Sequence, residues 1–237
     1  MSPKIVANTY SSAISWGLSH RSKGMSPDIP DGAATLLSKY NGIYLGDTTD
    51  CKIYLTFDLG YEAGYTSQVL DVLRDNNIHA IFFLCGNYLK ESQLIERMLQ
   101  EGHTIGNHTD RHKDLSKVDV DVVKQDIQDF GTKYTQQYGH HNVSLRYFRP
   151  PFGKFGQQTL QQAVNANLKT VLWSNAIADW SKSPIDPVAA SNKLISRLHK
   201  GCIILLHITN SGTSTMLRQF VQKAVEIGYQ FGDATQL

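Results

Sequence analysis

The chain has 237 residues, of which 41% are hydrophobic and 19% are charged, and this ordinary globular composition excludes a disordered protein. The formal net charge is only +2 and basic residues do not cluster, so the electrostatic footprint of a nucleic-acid-binding protein is missing. No apolar run approaches the roughly 20 residues of a membrane-spanning helix, and we expect neither nucleic acid nor a membrane span.

Residues 1–50 are rich in Ser, Gly, Pro and Asp and show little hydrophobic periodicity. We predict an N-terminal arm here, packed on a domain that covers residues 51–237, with one short helix near residues 33–40. The first ten residues contain one Lys and no apolar stretch, so we expect no signal peptide in this chain.

From residue 51 onwards, short β-branched or aromatic runs alternate with amphipathic stretches. The runs predict buried strands at residues 52–58, 79–84, 104–108, 146–149, 169–174 and 202–207. The amphipathic stretches predict helices at residues 67–74, 92–100, 119–139, 157–167, 184–199 and 215–227. This alternation predicts an α/β fold with a mainly parallel sheet wrapped by helices, either open or closed into a barrel.

Three cysteines, Cys51, Cys85 and Cys202, are too few for a disulfide framework and too scattered for a zinc cluster. We therefore expect the hydrophobic core to hold the fold, and we assign no role to cysteine.

Polar groups gather at the ends of the predicted strands. In parallel folds the loops at the carboxyl ends of the strands converge, and chemistry collects there. Five of the six strand exits carry a group that can titrate, bind a metal or clamp an anion: Asp58, His108 with His112, Arg149, Asp179 and His207. Any one of these residues is weak evidence, but their shared position predicts a single site.

Each of these residues also has a simpler interpretation. His108 and His112 have the spacing of one helical turn, which suits two ligands of one divalent ion, or they are two solvent-facing histidines. Asp58 can act as a general base or cap the following helix. His207 can donate a proton or be a hydrogen-bonded core histidine, and Asp179 can orient it. Arg149, stiffened by two prolines, can hold a carboxylate or form a structural salt bridge.

The motifs, in their order, resemble the five sequence blocks of the polysaccharide deacetylase family, the NodB-homology enzymes of carbohydrate esterase family 4. They are TFD at residues 56–58, HTDRH at 108–112, RPPFG at 149–153, DW at 179–180 and LLH at 205–207. The matches SWG at 15–17, YLG at 44–46, GYE at 60–62, GYT at 64–66, VLDVL at 69–73 and GNH at 106–108 are similar to the delta-lactam-biosynthetic subfamily. That subfamily removes acetate from N-acetylmuramic acid in peptidoglycan during formation of the spore cortex.

The resemblance implies a distorted (β/α) barrel and a set of roles. Asp58 would be the general base, His207 the general acid, and His108 and His112 the metal ligands. Arg149 and Asp179 would tune the base and the acid. The remaining implied roles concern the substrate groove, whose wall would include Pro151, Phe152 and Trp180, with the backbone amide of Phe152 helping to hold the oxyanion.

One position departs from the family pattern. The family has a second Asp after the general base, and it completes the metal site; Leu59 stands there. A leucine leaves two histidines where a zinc site normally has three protein ligands and one open position. The candidate substitutes are Asp58 itself, Glu62, Asp110, additional waters or a substrate oxygen. We expect a divalent ion, zinc first, bound more weakly than in a complete site or lost on purification.

The resemblance implies de-N-acetylation of N-acetylmuramic acid, with peptidoglycan glycan strands as the partner, an extracytoplasmic or spore-envelope location and a monomer. Two alternatives remain open at this stage. One is deacetylation of N-acetylglucosamine in peptidoglycan or chitin-type chains. The other is a catalytically silent glycan-binding homologue, because Leu59 removes a ligand.

Overall fold

The computed structural model describes residues 13–181 and 183–237. These residues form ten strands: β1 (Ile14–Ser15), β2 (Lys52–Leu59), β3 (Ile81–Leu84), β4 (Thr104–Asn107), β5 (Tyr147–Phe148), β6 (Lys154–Phe155), β7 (Lys169–Thr170), β8 (Asn175–Ala176), β9 (Cys202–Leu206) and β10 (Gln230–Phe231).

Seven α-helices accompany the strands: α1 (Ala33–Lys39), α2 (Thr66–Asp75), α3 (Ser92–Gln100), α4 (Val120–Tyr138), α5 (Gln157–Asn165), α6 (Pro187–Ser196) and α7 (Thr213–Glu226). Each lies within a few residues of a predicted helix. The start of α6 shifts from residue 184 because the Asp186 carboxylate accepts the backbone N–H groups of Val188 and Ala189, with Pro187 in the first turn. No helix in the described ranges is long and apolar enough to cross a membrane.

The main sheet has eight strands, and its pairs are parallel. Its order is β7-β5-β4-β3-β2-β9-β8, and β10 joins the first residues of β2. The sheet curls into a barrel-like shape whose two end strands, β7 and β8, are not paired with each other. The predicted distorted barrel is confirmed, and it is an open one.

The fifth predicted strand, residues 169–174, is divided in the structure. Its first residues form β7 against β5, whereas the chain then crosses to the other edge and forms β8 against β9. The backbone N–H of Ser174 already bonds the carbonyl of Ile203 at 2.8 Å. A continuous apolar run was the basis of the prediction, and such a run cannot reveal that the chain changes its pairing partner half-way.

The N-terminal segment lies across this gap. Ile43 bridges to Val171 next to β7, and Leu45 bridges to Cys202 at the start of β9, so the segment contacts both sides of the opening. Further along the surface, β1 pairs with β6, and the Trp16 indole donates to the carbonyl of Trp173 at 3.0 Å. The division into an arm and a domain at residue 50 stays a prediction.

Strand alternation in β2 separates two environments. Ile53, Leu55, Phe57 and Leu59 enter the main core between the sheet and the helices. Tyr54 belongs to the inner cluster of the barrel, and Asp58 has the same parity. Because adjacent side chains point to opposite faces, Asp58 reaches the carboxyl end of the barrel interior while Leu59 is buried on the other face.

Two glycines provide a matched test of the packing. A Cβ on Gly106 of β4 would lie 2.4 Å from a ring carbon of Phe83, whereas the nearest atom to a Cβ on Gly131 of α4 is 4.0 Å away. We expect Gly106→Ala to lower the free energy of unfolding by about 1–3 kcal/mol through overpacking. Gly131→Ala should raise it by about 0.5–1 kcal/mol through helix propensity. Urea unfolding measures both, and equal effects would contradict the packing.

Candidate active site

A buried ion pair lies at the centre of the site. Asp58 is the penultimate residue of β2, and Arg149 directly follows β5. The Arg149 guanidinium donates through Nη1 to Asp58 Oδ1 at 2.7 Å, and His108 Nε2 lies 3.5 Å from Asp58 Oδ2. Residues at the ends of β2, β4 and β5 are therefore in contact through the Asp58 carboxylate.

Arg149 is fully buried and is held from several sides. Its Nε donates to the carbonyl oxygen of Val171 at 2.9 Å, and the guanidinium carbon lies 4.1 Å from the ring centroid of Phe83 and 5.5 Å from that of Trp173. These contacts leave Nη1 directed at Asp58. The arginine consequently acts as a fixed positive charge rather than a flexible surface group.

The surroundings keep Asp58 ionised. Burial alone would raise the pKa of its carboxyl group, but the charges of Arg149, His108 and His207 outweigh burial, and the pKa lies below its ordinary value. Asp58 is thus a carboxylate at neutral pH, as a proton acceptor must be.

His207 and Asp179 form a second pair on the same face. The Nδ1–H of His207 donates to Asp179 Oδ1 at 2.8 Å, and the backbone N–H of His207 donates to Oδ2 at 2.8 Å. Burial lowers the pKa of His207, but the hydrogen bond and charge of Asp179, with the charge of Asp58, raise it above its ordinary value. His207 is therefore favoured in the protonated form, and its Nε2 end carries a proton that it can donate.

The two candidate metal ligands approach each other in a turn. The ring centroids of His108 and His112 are 4.9 Å apart. His108 Nδ1 donates to the carbonyl oxygen of Arg149 at 2.8 Å, so its Nε2 lone pair is available to an ion. The expectation of a helical turn at this spacing is wrong: Thr109 and His112 have left-handed backbone angles (φ 67° and 52°). Asn107 stabilises the turn by accepting the N–H of Thr109 at 2.8 Å.

A thiol also lies beside these imidazoles. Ligand atoms of Cys85, His108 and His112 lie within 4.8 Å of one another. Two of the substitutes considered for the missing Asp are engaged elsewhere, because Glu62 accepts from Thr66 and from Tyr88, and Asp110 pairs with Lys133 at 2.7 Å. The sequence patterns assign no role to cysteine, although Cys85 directly follows β3 as the other candidate residues follow their strands. Two imidazoles and a thiol form a donor set that suits zinc.

Aromatic side chains border the site. Phe152 is 56% exposed and lies 4.6 Å from the His112 ring, and Trp180 is 61% exposed and lies 6.1 Å from the His207 ring. Pro151 is buried, so among the three residues predicted to line the groove it offers no exposed ring face. Phe152 adopts a left-handed conformation (φ 59°), which is uncommon for an aromatic residue.

An ionised carboxylate, a carboxylate-bound imidazole and two neighbouring histidines lie at one barrel mouth. The family model described as polysaccharide deacetylase matches residues 45–171. The chain belongs to this family. The resemblance to the polysaccharide deacetylase family is thereby confirmed, and the enzymes of this family generally depend on a metal ion.

Several relatives cover most of this deacetylase. Peptidoglycan-N-acetylmuramic acid deacetylase PdaA of Bacillus subtilis is 34% identical over 92% of the chain and 83% of the relative. The structure of that PdaA, a family 4 carbohydrate esterase, has a TM-score of 0.87 and covers 92% of this chain and 94% of its own.

Two solved structures from Bacillus anthracis are also similar to this deacetylase. A family 4 carbohydrate esterase is 32% identical with a TM-score of 0.77, and covers 94% of this chain and 95% of its own. A family 4 pseudoenzyme is 25% identical with a TM-score of 0.76, and covers 83% and 68%.

Replacing Arg149 tests the buried pair. We expect Arg149→Met to lower the free energy of unfolding by about 3–5 kcal/mol, because it leaves the Asp58 charge buried without its partner. The double variant Arg149→Met/Asp58→Asn, which also removes that charge, should recover part of the loss. Urea unfolding of the two variants measures both effects. Equal stability of Arg149→Met and the parent would contradict a stabilising role for the buried Arg149–Asp58 ion pair.

The pH profile tests the Asp179–His207 pair. Since Asp179 raises the pKa of His207, Asp179→Asn should move the alkaline limb of kcat/KM for deacetylation to lower pH and reduce kcat. Asp121→Asn, at an exposed position in the first turn of α4, serves as the control and should leave the profile unchanged. If the alkaline limb of Asp179→Asn stayed at the parental pH, His207 would not be the proton donor.

Proposed function

We propose that this deacetylase removes the N-acetyl group from N-acetylmuramic acid residues of peptidoglycan, as in the formation of muramic delta-lactam in spore cortex. The observation that carries the chemistry is the pairing of Asp58 with Arg149 and of His207 with Asp179 on one barrel mouth. The choice of muramic acid is supported by the similarity to PdaA over 92% of the chain.

The proposed reaction is hydrolysis of the acetamide bond. Asp58, ionised beside Arg149, accepts a proton from the water that attacks the acetamide carbonyl carbon. His207, held by Asp179 with its Nε2 end free, donates a proton to the sugar nitrogen as the carbon–nitrogen bond breaks. Acetate and a free amino sugar leave the site. The backbone N–H of Phe152 is proposed as one donor to the oxyanion.

A divalent ion held by His108 and His112, zinc by preference, would polarise the carbonyl and stabilise the negative charge that develops on it. The free Nε2 of His108 supports this assignment, because its other nitrogen is committed to the carbonyl of Arg149. Phe152 and Trp180 are proposed to contact faces of the sugar rings, since both are exposed beside the catalytic groups. A substrate of this kind places the enzyme outside the cytoplasmic membrane.

The N-terminal matches favour the muramic acid substrate. Trp16 is part of the SWG match to the delta-lactam subfamily. We assign it no role in the chemistry, but it contacts the loop that carries Phe152. Its backbone N–H donates to the carbonyl of Gly153 at 2.9 Å, next to Phe152. A Cβ on Gly153 would lie 2.9 Å from Cβ of Trp16, so this contact requires glycine. The arm therefore contacts the loop that carries Phe152 directly.

A silent glycan-binding homologue is the competing candidate, because Leu59 replaces a family metal ligand and one structural neighbour is a pseudoenzyme. It predicts no acetate release with any added metal. Retention of the two catalytic pairs favours the enzyme.

Acetate release from three glycans tests the substrate. Peptidoglycan stripped of its stem peptides, intact peptidoglycan and chitooligosaccharides are compared with zinc present, and mass spectrometry of muramidase fragments locates the lost acetyl group. We expect loss from muramic acid; loss from glucosamine alone would overturn the substrate assignment. Asp58→Asn and His207→Ala should each reduce the rate by about 100-fold to 10,000-fold. Parental rates in both variants would overturn the assigned roles.

A further inference from the structure

The exit of β3 carries a thiol that the proposed reaction does not use. Cys85 is the first residue after Leu84, and its backbone N–H donates to the carbonyl oxygen of Leu59 at 3.0 Å. Cys85 thus lies directly beside position 59, where the family has its third ligand. The side chain is only 3% exposed, so it belongs to the interior of the site.

Strand parity directs the thiol at the imidazoles. Ile81 and Phe83 of β3 enter the inner cluster of the barrel, whereas Phe82 and Leu84 enter the main core. Cys85 continues the inner set. Its Sγ donates to the carbonyl oxygen of His108 at 3.5 Å. Leu59 has the opposite orientation and is committed to the main core, so it cannot be displaced toward an ion without opening that core.

The three donors are close enough to share one ion. Their ligand atoms lie within 4.8 Å of one another, and a tetrahedral zinc ion with one sulfur and two nitrogen ligands ordinarily holds them about 3.3–3.6 Å apart. A shared ion would therefore require the separations between these atoms to shorten by at most about 1.5 Å. His112 is only partly buried, in contrast to Cys85 and His108.

Charge favours the same assignment. Replacement of the family Asp by Leu59 removes one negative charge from the metal site, and a thiolate restores it. A metal that binds a thiol displaces its proton to solvent as the metal–sulfur bond forms.

We propose that Cys85 is the third protein ligand of the metal ion held by His108 and His112, in place of the family Asp. The inference rests on the metal-assisted chemistry proposed above. It makes the donor set two imidazoles and one thiolate with an open fourth position, which is the composition of a catalytic zinc site rather than a closed structural one.

Two features of the chain allow a clean test. Cys202 is also fully buried, but it lies at the start of β9, at the opposite end of the barrel from the site, and is the matched control. A second group of donors, Glu96, His140 and His141, lies at the surface and could take up added metal. The double substitution His140→Ala/His141→Ala removes that group. The group contains no sulfur, so it could not give a sulfur-to-metal band even if it were present.

The experiment is a titration of the metal-free His140→Ala/His141→Ala protein with Co2+, followed by competition with Zn2+. We expect one tightly bound Co2+ per chain and a sulfur-to-cobalt charge-transfer band in the near ultraviolet. Cys85→Ala should lose this band and bind Zn2+ at least about 100-fold more weakly. Loss of a residue that only hydrogen-bonds a ligand usually weakens metal binding by about 10-fold to 100-fold. Cys202→Ala should keep both properties.

Cys85→Asp controls for a folding defect, because a carboxylate can ligate the ion but cannot give the sulfur band. It should retain tighter Zn2+ binding than Cys85→Ala while lacking the band. A parent without the band, or a Cys85→Ala variant with parental Zn2+ affinity, would overturn the inference, and acetate release would still stand as evidence for the function. Conversely, a sulfur band without acetate release from any wall glycan would refute the function and leave the ligand assignment intact.

Discussion

The ion pair between Arg149 and Asp58 is the constraint around which the site is organised. A fully buried guanidinium requires a partner, and the 2.7 Å contact with Asp58 supplies a full opposite charge. The pair joins β5 to β2 across the barrel interior. It also determines the chemistry, because it holds the carboxylate ionised, and the carbonyl of Arg149 orients His108.

The open barrel explains why the N-terminal segment matters to a site that it does not enter. The chain leaves β7 at one edge and starts β8 at the other, so the sheet has a gap that residues 43–45 bridge. The same segment fixes the loop of Phe152 through Trp16 and Gly153. The surface proposed to contact the substrate is thus held partly by the N-terminal segment, while the Asp58–Arg149 and His207–Asp179 pairs are positioned by the strands.

Sequence patterns predicted some features well and others poorly, for physical reasons. Strands such as β2 and β9 and helices such as α4 follow from local periodicity, which the main core confirms. The division of residues 169–174 between two sheet edges depends on pairing partners, which local periodicity does not encode. His108 and His112 lie close together, as predicted, but the expected helical turn is wrong. A turn with left-handed residues, stabilised by Asn107, brings the two rings together instead.

By itself, the sequence determined the α/β class, the strand exits and the residues that meet there, because alternation and the parallel direction of the strands require convergence. Only the tertiary structure brings Cys85 beside Leu59, where it is proposed to complete the metal site. Leu59 and Cys85 are neighbours through β2–β3 pairing but 26 positions apart in the chain, and their opposite orientations arise from strand parity. The loss of one donor and the presence of another are visible together only when the two strands lie side by side.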